Sequence, residues 1–350
     1  MSGSASTRRL TRGVSLAAVA AVALTVGVSQ GLAKTTVVCG QVITSNTHVG
    51  NDLTNCPGDG LVIGANNVKL DLGGHVIDGV NAAGSDGIRN SGGFDNVRVS
   101  HGTVQQFDVG VDFSGGANDG KIEHLKVLQN TDRGIGLVSS NGNKISHNKV
   151  WSNFDGIHLS ASDTNKIDHN EVFTNTASAI VLITGSDGNK VEHNKTHDNP
   201  SWGITSDDSV NNTYKHNKVA NNHIAGIGVF HGTNLRIDHN DLSGNMIGIE
   251  LFTVSSSFVT KNKIRSSAGD GVFTHVGSTA NLLRDNHTDK NGADGIDVAD
   301  VNAGNTIAHN HANKNTNLGI FAAPGNTDGG GNKAKDNGNP LQCVGVTCKK

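Results

Sequence analysis

From Trp202 to Asp297 the chain carries aromatic and acidic residues at a spacing that could handle a sugar. Trp202, Thr205 and Asp207 come first, then Gly228 and Phe230, then Glu250 and Phe252; Asp270, Phe273 and His275 follow, and Asp294 and Asp297 close the run. Asp208 and His231 stand at adjoining turns. Flat aromatic faces stack on pyranose rings, and carboxylates grip hydroxyls or exchange protons. The candidates for proton chemistry are Glu250, Asp207 and Asp297. Trp202, Phe230, His231, Phe252, Phe273, His275 and Asp294 are the candidates for holding a saccharide. If the strands bearing them stack regularly, Glu250 and Asp297 lie two strand spacings, about 9–10 Å, apart. That is near the separation of an inverting glycosidase's two carboxylates. The expectation is therefore hydrolysis, with Glu250 and Asp207 or Asp297 as acid and base. The alternative is that later loops cover the aromatics and that the acids are ordinary solvent-facing charges.

The spacing of these residues comes from an internal repeat. Aligned on Gly-Ile, the chain recurs at Gly134-Ile135, Gly156-Ile157, Ala179-Ile180, Gly203-Ile204, Gly226-Ile227, Gly248-Ile249, Gly271-Val272, Gly295-Ile296 and Gly319-Ile320, every 22 to 24 residues. Two asparagine registers keep the same period, one running from Asn148 to Asn310 and one from Asn153 to Asn315, with Ser267 the exception in the second. Coincident registers of this kind define a solenoid. Each unit holds three short segments, such as "NKISH", "KVWS" and "GIHLS", whose apolar residues alternate as strands do. Leucines are few and no helical periodicity is present, which excludes a leucine-rich repeat. The prediction is an all-β, right-handed, single-stranded parallel β-helix of roughly twelve coils, about 55–60 Å long. Asparagine is expected to take the left-handed backbone at one corner and glycine to open another.

A third register is histidine: His124, His147, His169, His193, His216, His239 and His309, broken at Lys261 and Asp285. Stacked imidazoles could ligate a transition metal, but in-register spacing gives a line of ligands rather than a cluster. A corner residue that stacks and hydrogen-bonds is the plainer reading, and no metal site is assigned.

The chain has 350 residues, 46 of them glycine, with 35% hydrophobic and 17% charged residues and a formal charge of −3. Recurrent Ile and Val argue against disorder, and the near-neutral balance argues against a nucleic-acid partner. Residues 1–33 read as a cleaved secretory signal: Arg8, Arg9 and Arg12 precede an apolar run from Val14 to Val28 and small residues before Lys34. No membrane span is expected after cleavage, and the localisation expected is secreted. Export permits disulfides. Of the three possible connectivities, proximity favours Cys39 with Cys56 and Cys343 with Cys348. The layout expected is an N-terminal cap at 34–59, the β-helix at 60–337 and a C-terminal cap at 338–350.

The repeat "N-x-I-x-x-N-x-V-x-x-N-x-x-x-G-I-x-L" and the stretch "NNVKLDLGGHVIDG", Asn66 to Gly79, resemble the right-handed parallel β-helix repeats of the pectin-lyase-like superfamily. That superfamily includes pectate and alginate lyases, polygalacturonases, uronan epimerases, phage tailspikes and a periplasmic factor of copper-enzyme maturation. In its sugar-active members a strand like the Gly-Ile segment floors the substrate groove, so the resemblance implies a polysaccharide or oligosaccharide partner. Asp207-Asp208, His231-Gly232 and Arg236 are similar to the polygalacturonase signature, but Asp238 stands where that signature has lysine. The Asp-Pro-His motif of uronan epimerases is absent. A lyase of the family would use Arg or Lys and often calcium; the sequence itself requires no cofactor, and the later half of the groove has no basic residue. The alternatives to a polysaccharide-binding or polysaccharide-processing protein are a stiff non-catalytic extracellular scaffold and a metal-handling periplasmic-type β-helix. Nothing in the sequence specifies an oligomer.

Overall fold

The computed structural model describes residues 1–5, 33–299, 301 and 303–349. The chain divides into Met1–Leu32 and Ala33–Lys350. Most of the expected signal segment lies outside the described residues. No helix among the described residues is long and apolar enough to cross a membrane.

Ala33–Lys350 is a right-handed parallel β-helix. One coil shows the plan: Lys144–Ser146, Lys149–Trp151 and Asp155–Ser160 lie on a first, a second and a Gly-Ile face. The chain then returns to pair in parallel through Lys166–Asp168 with the strand where the coil began. The Gly-Ile face is a sheet of 14 strands, from Gln41–Ile43 to Cys343–Val344, more than the roughly twelve coils expected. The other two faces join into a single 26-stranded sheet. They are joined where Arg98–Gln105 and Lys121–Leu128 run unbroken around the shared corner. Inward residues such as Ile145, Val150, Ile157 and Leu159 are fully buried and repeat from coil to coil as one continuous core. The disulfides are Cys39–Cys56 and Cys343–Cys348, as proximity predicted.

The corners differ from expectation. The left-handed residue is the one before each asparagine: His147 (φ 58°) before Asn148 and Ser152 (φ 57°) before Asn153. The asparagines turn inward instead. Asn148, Asn170, Asn194 and Asn217 are buried, and the side-chain oxygens of Asn170, Asn194 and Asn217 each accept the backbone N–H of the asparagine one coil earlier at 2.9–3.0 Å, while that of Asn148 accepts the backbone N–H of Leu125 at 2.9 Å. Histidine tolerates the left-handed region better than most residues do, which fits it to the position before the ladder. A further ladder runs through Asn143, Asn165, Asn189 and Asn212. Glycine before Ile is not a corner either. A Cβ on Gly134 would lie 2.6 Å from the carbonyl oxygen of Gly156 and 2.6 Å from a methyl of Val150. That position is glycine because the next coil occupies the space.

Candidate functional site

The Gly-Ile face sorts the candidate residues into columns. Thr205, Gly228, Glu250, Phe273 and Asp297 are successive partners in one column, and Asp207, Phe230 and Phe252 are partners in the next. Trp202, Asp270 and Asp294 sit just ahead of their strands, and His275 just after one. The rings form an unbroken series: Trp202 meets Phe230 edge-on at 5.8 Å, Phe230 lies 6.4 Å from Phe252, and Phe252 lies 5.4 Å from His275, which lies 4.1 Å from Phe273. Gly228 makes this possible, because a Cβ there would sit 2.8 Å from the indole of Trp202. Phe252 is 38% exposed, while Trp202, Phe230 and Phe273 are half-buried.

A recess of about 440 Å³ opens beside this series and extends it toward the N-terminus. Its walls include Phe154, Val181, Ile183, Trp202, Asp207 and Phe230. The groove thus begins before Trp202. The sequence reading passed over Phe154, Val181 and Ile183 because apolar residues on an exposed row carry no chemical signature of their own.

Three carboxylate–imidazole pairs punctuate the face. Asp155 lies 3.0 Å from His158 Nδ1, Asp207 2.9 Å from His231 Nδ1, and Glu250 2.8 Å from His275 Nε2. The hydrogen bond that His231 donates to Asp207 raises the His231 pKa above its ordinary value. Further along, Asp270, Asp294 and Asp297 bring one carboxylate oxygen each within 4.8 Å of the others. The backbone N–H of Asp294 donates to Asp270 at 2.7 Å, and that of Leu318 donates to Asp294 at 2.6 Å. Burial pushes all three carboxyls up. Asp297 rises to about 7 through burial and then the charges of Asp270 and Asp294, and its Oδ1 is buried without a hydrogen-bond partner. Crowded acids resist ionising together, so one is kept protonated near neutral pH.

The early coils are also charged, which sequence reading missed. Arg89 reaches Asp59 at 2.9 Å, and burial together with neighbouring acids raises Asp86 to about 7. The signal was present: Gly87-Ile88 and Gly110-Val111 continue the Gly-Ile register upstream of Gly134, and Asp86 occupies the position that Asp155 and Asp270 hold later.

The histidine register is a physical stack. From His101 to His239 seven imidazoles follow one another at ring separations of 5.0–5.3 Å. His309 stands apart from it, beyond Lys261 and Asp285.

Two family models match the chain. That of the periplasmic copper-binding protein NosD covers residues 73–246, and that of the right handed beta helix region covers residues 202–347. The chain is a right-handed parallel β-helix repeat protein. Over those residues its repeats are similar to those of the NosD and right handed beta helix families. Among solved structures, this β-helix protein is similar to the A-module of the Azotobacter vinelandii mannuronan C-5 epimerase AlgE4, at 14% identity and a TM-score of 0.66 over 89% of this chain and 91% of that one. The A-module of AlgE6 from the same organism matches at 12% identity and a TM-score of 0.59, over 89% and 90%. No curated protein sequence matches the chain.

These findings correct the expected hydrolase. The AlgE4 and AlgE6 structures, which match over about nine tenths of both chains, are named as epimerases and not as hydrolases. The carboxylates offered as acid and base are also engaged separately, Glu250 with His275, Asp207 with His231, and Asp297 within its own acidic group. The histidine stack sets its imidazoles in a line, near-parallel at 4° between His147 and His169 and between His169 and His193 and tilted by 30° and 44° in the next two pairs, rather than around one centre. Donor atoms do converge at Asp207, Asp208 and His231, and at Asp270, Asp294 and Asp297. Both sets are rich in oxygen, which suits hard cations such as calcium.

Proposed function

We propose that the Gly-Ile face binds a neutral polysaccharide laid along the helix axis. The observation that carries this reading is the unbroken series of rings from Trp202 to Phe273, set between carboxylates on one rigid sheet. Rings on successive coils offer successive sugars a hydrophobic floor, and the carboxylates accept hydrogen bonds from hydroxyls. Between Trp202 and Asp297 the row holds Asp207, Asp208, Glu250, Asp270, Asp294 and Asp297, with only His231 and His275 able to offset them. An acidic polymer would meet like charge there. The test is affinity electrophoresis and calorimetry on neutral and acidic polysaccharides. Trp202→Ala and Phe252→Ala are each expected to weaken binding of a retained neutral polymer at least tenfold, with unchanged circular dichroism. Unaltered binding by both variants overturns the assignment.

A second reading is epimerisation at a sugar carbon, since the matched structures are named as mannuronan C-5 epimerases; it takes a uronate, whose carboxyl makes the adjacent C–H acidic, in place of the neutral polymer of the first reading. It is favoured by Asp297, poised near 7, two strands from the Glu250–His275 pair. Incubation of a uronan and of a neutral polymer in deuterated water, followed by mass spectrometry, distinguishes the two. Deuterium in the sugar ring, lost in Asp297→Asn, supports chemistry; its absence leaves binding alone.

A further inference from the structure

The second face, which the Gly-Ile reading does not use, has its own built surface. Its outward residues run in strict register: Lys126 pairs with Lys149, Lys149 with Glu171, Glu171 with Lys195 and Lys195 with Lys218. The adjoining column carries Leu128, Trp151, Phe173, His197 and Ala220. Trp151 stacks on Phe173 at 5.8 Å and 12°, and Phe173 on His197 at 5.0 Å and 8°. The Lys149 ammonium hangs over this ridge, 5.9 Å from the Trp151 ring and 5.1 Å from that of Phe173.

A recess lies at each end of the ridge. One of about 490 Å³ is bounded by Thr103, Gln105, Lys126, Lys149 and Trp151. The other, about 270 Å³, opens where the column shrinks to Ala220 and Ser243, and is edged by Lys195, Lys218 and Arg265. The acids nearby are committed. Glu171 holds Lys195 at 2.7 Å, Asp241 holds Arg265 at 2.7 Å, and Asp78 accepts from Gln105 at 2.9 Å. Among the described residues Lys126 and Lys218 have no carboxylate within ion-pair distance. The result is a ring ridge bracketed by ammonium groups at intervals of one or two coils, about 5–10 Å.

We infer that this face binds a linear acidic polysaccharide. Ring edges and lysine stems give the sugar rings apolar contact, and the ammonium groups meet a carboxylate or sulfate repeated along the polymer. The charge is the reverse of the Gly-Ile face, so the two faces of one coil select different glycans. The assignment stands on this face alone and does not need the other.

The chain has two tryptophans, Trp151 and Trp202, so Trp202→Phe leaves Trp151 as the only indole. Fluorescence of that variant is followed while polygalacturonate, neutral dextran or an oligothymidylate is added at low and high salt. The expected result is a saturable change with polygalacturonate, weakened at least tenfold in a Lys126→Gln/Lys149→Gln background and by added salt. The Phe252→Ala change on the Gly-Ile face is expected to leave it unaltered. No saturable response, or a response that survives the double lysine change, overturns the inference. Equal affinity for dextran overturns the charge argument, and equal affinity for the oligonucleotide reduces the face to a generic polyanion surface.

Discussion

Asn194 shows what one residue of a ladder does. Its side-chain oxygen accepts both the backbone N–H and the side-chain amide of Asn170 at 3.0 Å, and its own amide donates to the carbonyl of Ile167 at 2.8 Å. All of this is buried. Removing the amide strands a backbone donor, the Asn170 N–H, and a backbone acceptor, the Ile167 carbonyl, both on the preceding coil, each costing about 1–3 kcal/mol when left unpaired out of reach of water. Asn194→Ala is therefore expected to lower the unfolding free energy by about 2–4 kcal/mol in urea titration. A change at neighbouring His193, an exposed residue with φ 58°, behaves differently. His193→Asn keeps the left-handed preference and should cost well under half as much. Equal losses for the two would mean that the stack, not the ladder, holds the corner.

At the scale of the strand, Gly228 decides whether the aromatic floor exists. It occupies the outward column between Thr205 and Glu250, where any side chain would collide with the Trp202 indole at 2.8 Å. The backbone there is ordinary, so alanine strains only the Trp202 ring it displaces and, at 3.2 Å, the edge of the Phe230 ring. Gly228→Ala is expected to fold normally and to shift Trp202 emission toward that of a solvated indole. It should weaken neutral-glycan binding nearly as much as Trp202→Ala; unchanged emission would show that the ring does not rest on Gly228. This element also marks how far sequence could be read. Period-two alternation and the Gly-Ile register located the strands and the outward row, because burial enforces both. The role of Gly228 depends on a ring 26 positions away, folded over from another coil, and no local pattern reports that. The same holds for the pairing of Glu250 with His275 and for the early acids around Asp86, whose chemistry arises from neighbours one coil distant. Asparagine was read as the corner itself because its type suits both a left-handed turn and a buried ladder; only the backbone angles separate the two.

Across the whole coil stack, charge is arranged by face, and the Gly-Ile face carries a buried carboxyl raised to about 7 near each end, Asp86 and Asp297. In the unfolded chain both would titrate near the ordinary carboxyl value of 3.8. A carboxyl whose pKa is higher in the folded state favours folding when protonated. That contribution is complete below about 3.8 and is lost progressively as pH rises toward 7. The opposite slope comes from Glu171, lowered to about 2 chiefly by its hydrogen bond with Lys195. Its contribution is present above the ordinary glutamate value of 4.5 and fades only as pH falls toward 2. Between pH 5 and 7 Glu171 is therefore constant, and the slope comes from the raised carboxyls together with shifted imidazoles such as His231 and His216, so the difference between an Asp297 variant and its parent isolates the carboxyl. Asp297→Asn removes one ionisation from this window while keeping the side chain's size. The variant is expected to gain melting temperature relative to the parent as pH goes from 5 to 8, with the difference smallest at pH 5. Calorimetry at matched ionic strength reads this directly. A constant difference across the window would mean that Asp297 is not held protonated and that the acidic group is open to solvent. In that case the Glu250–His275 pair would be left as the only seat for proton transfer on this part of the face.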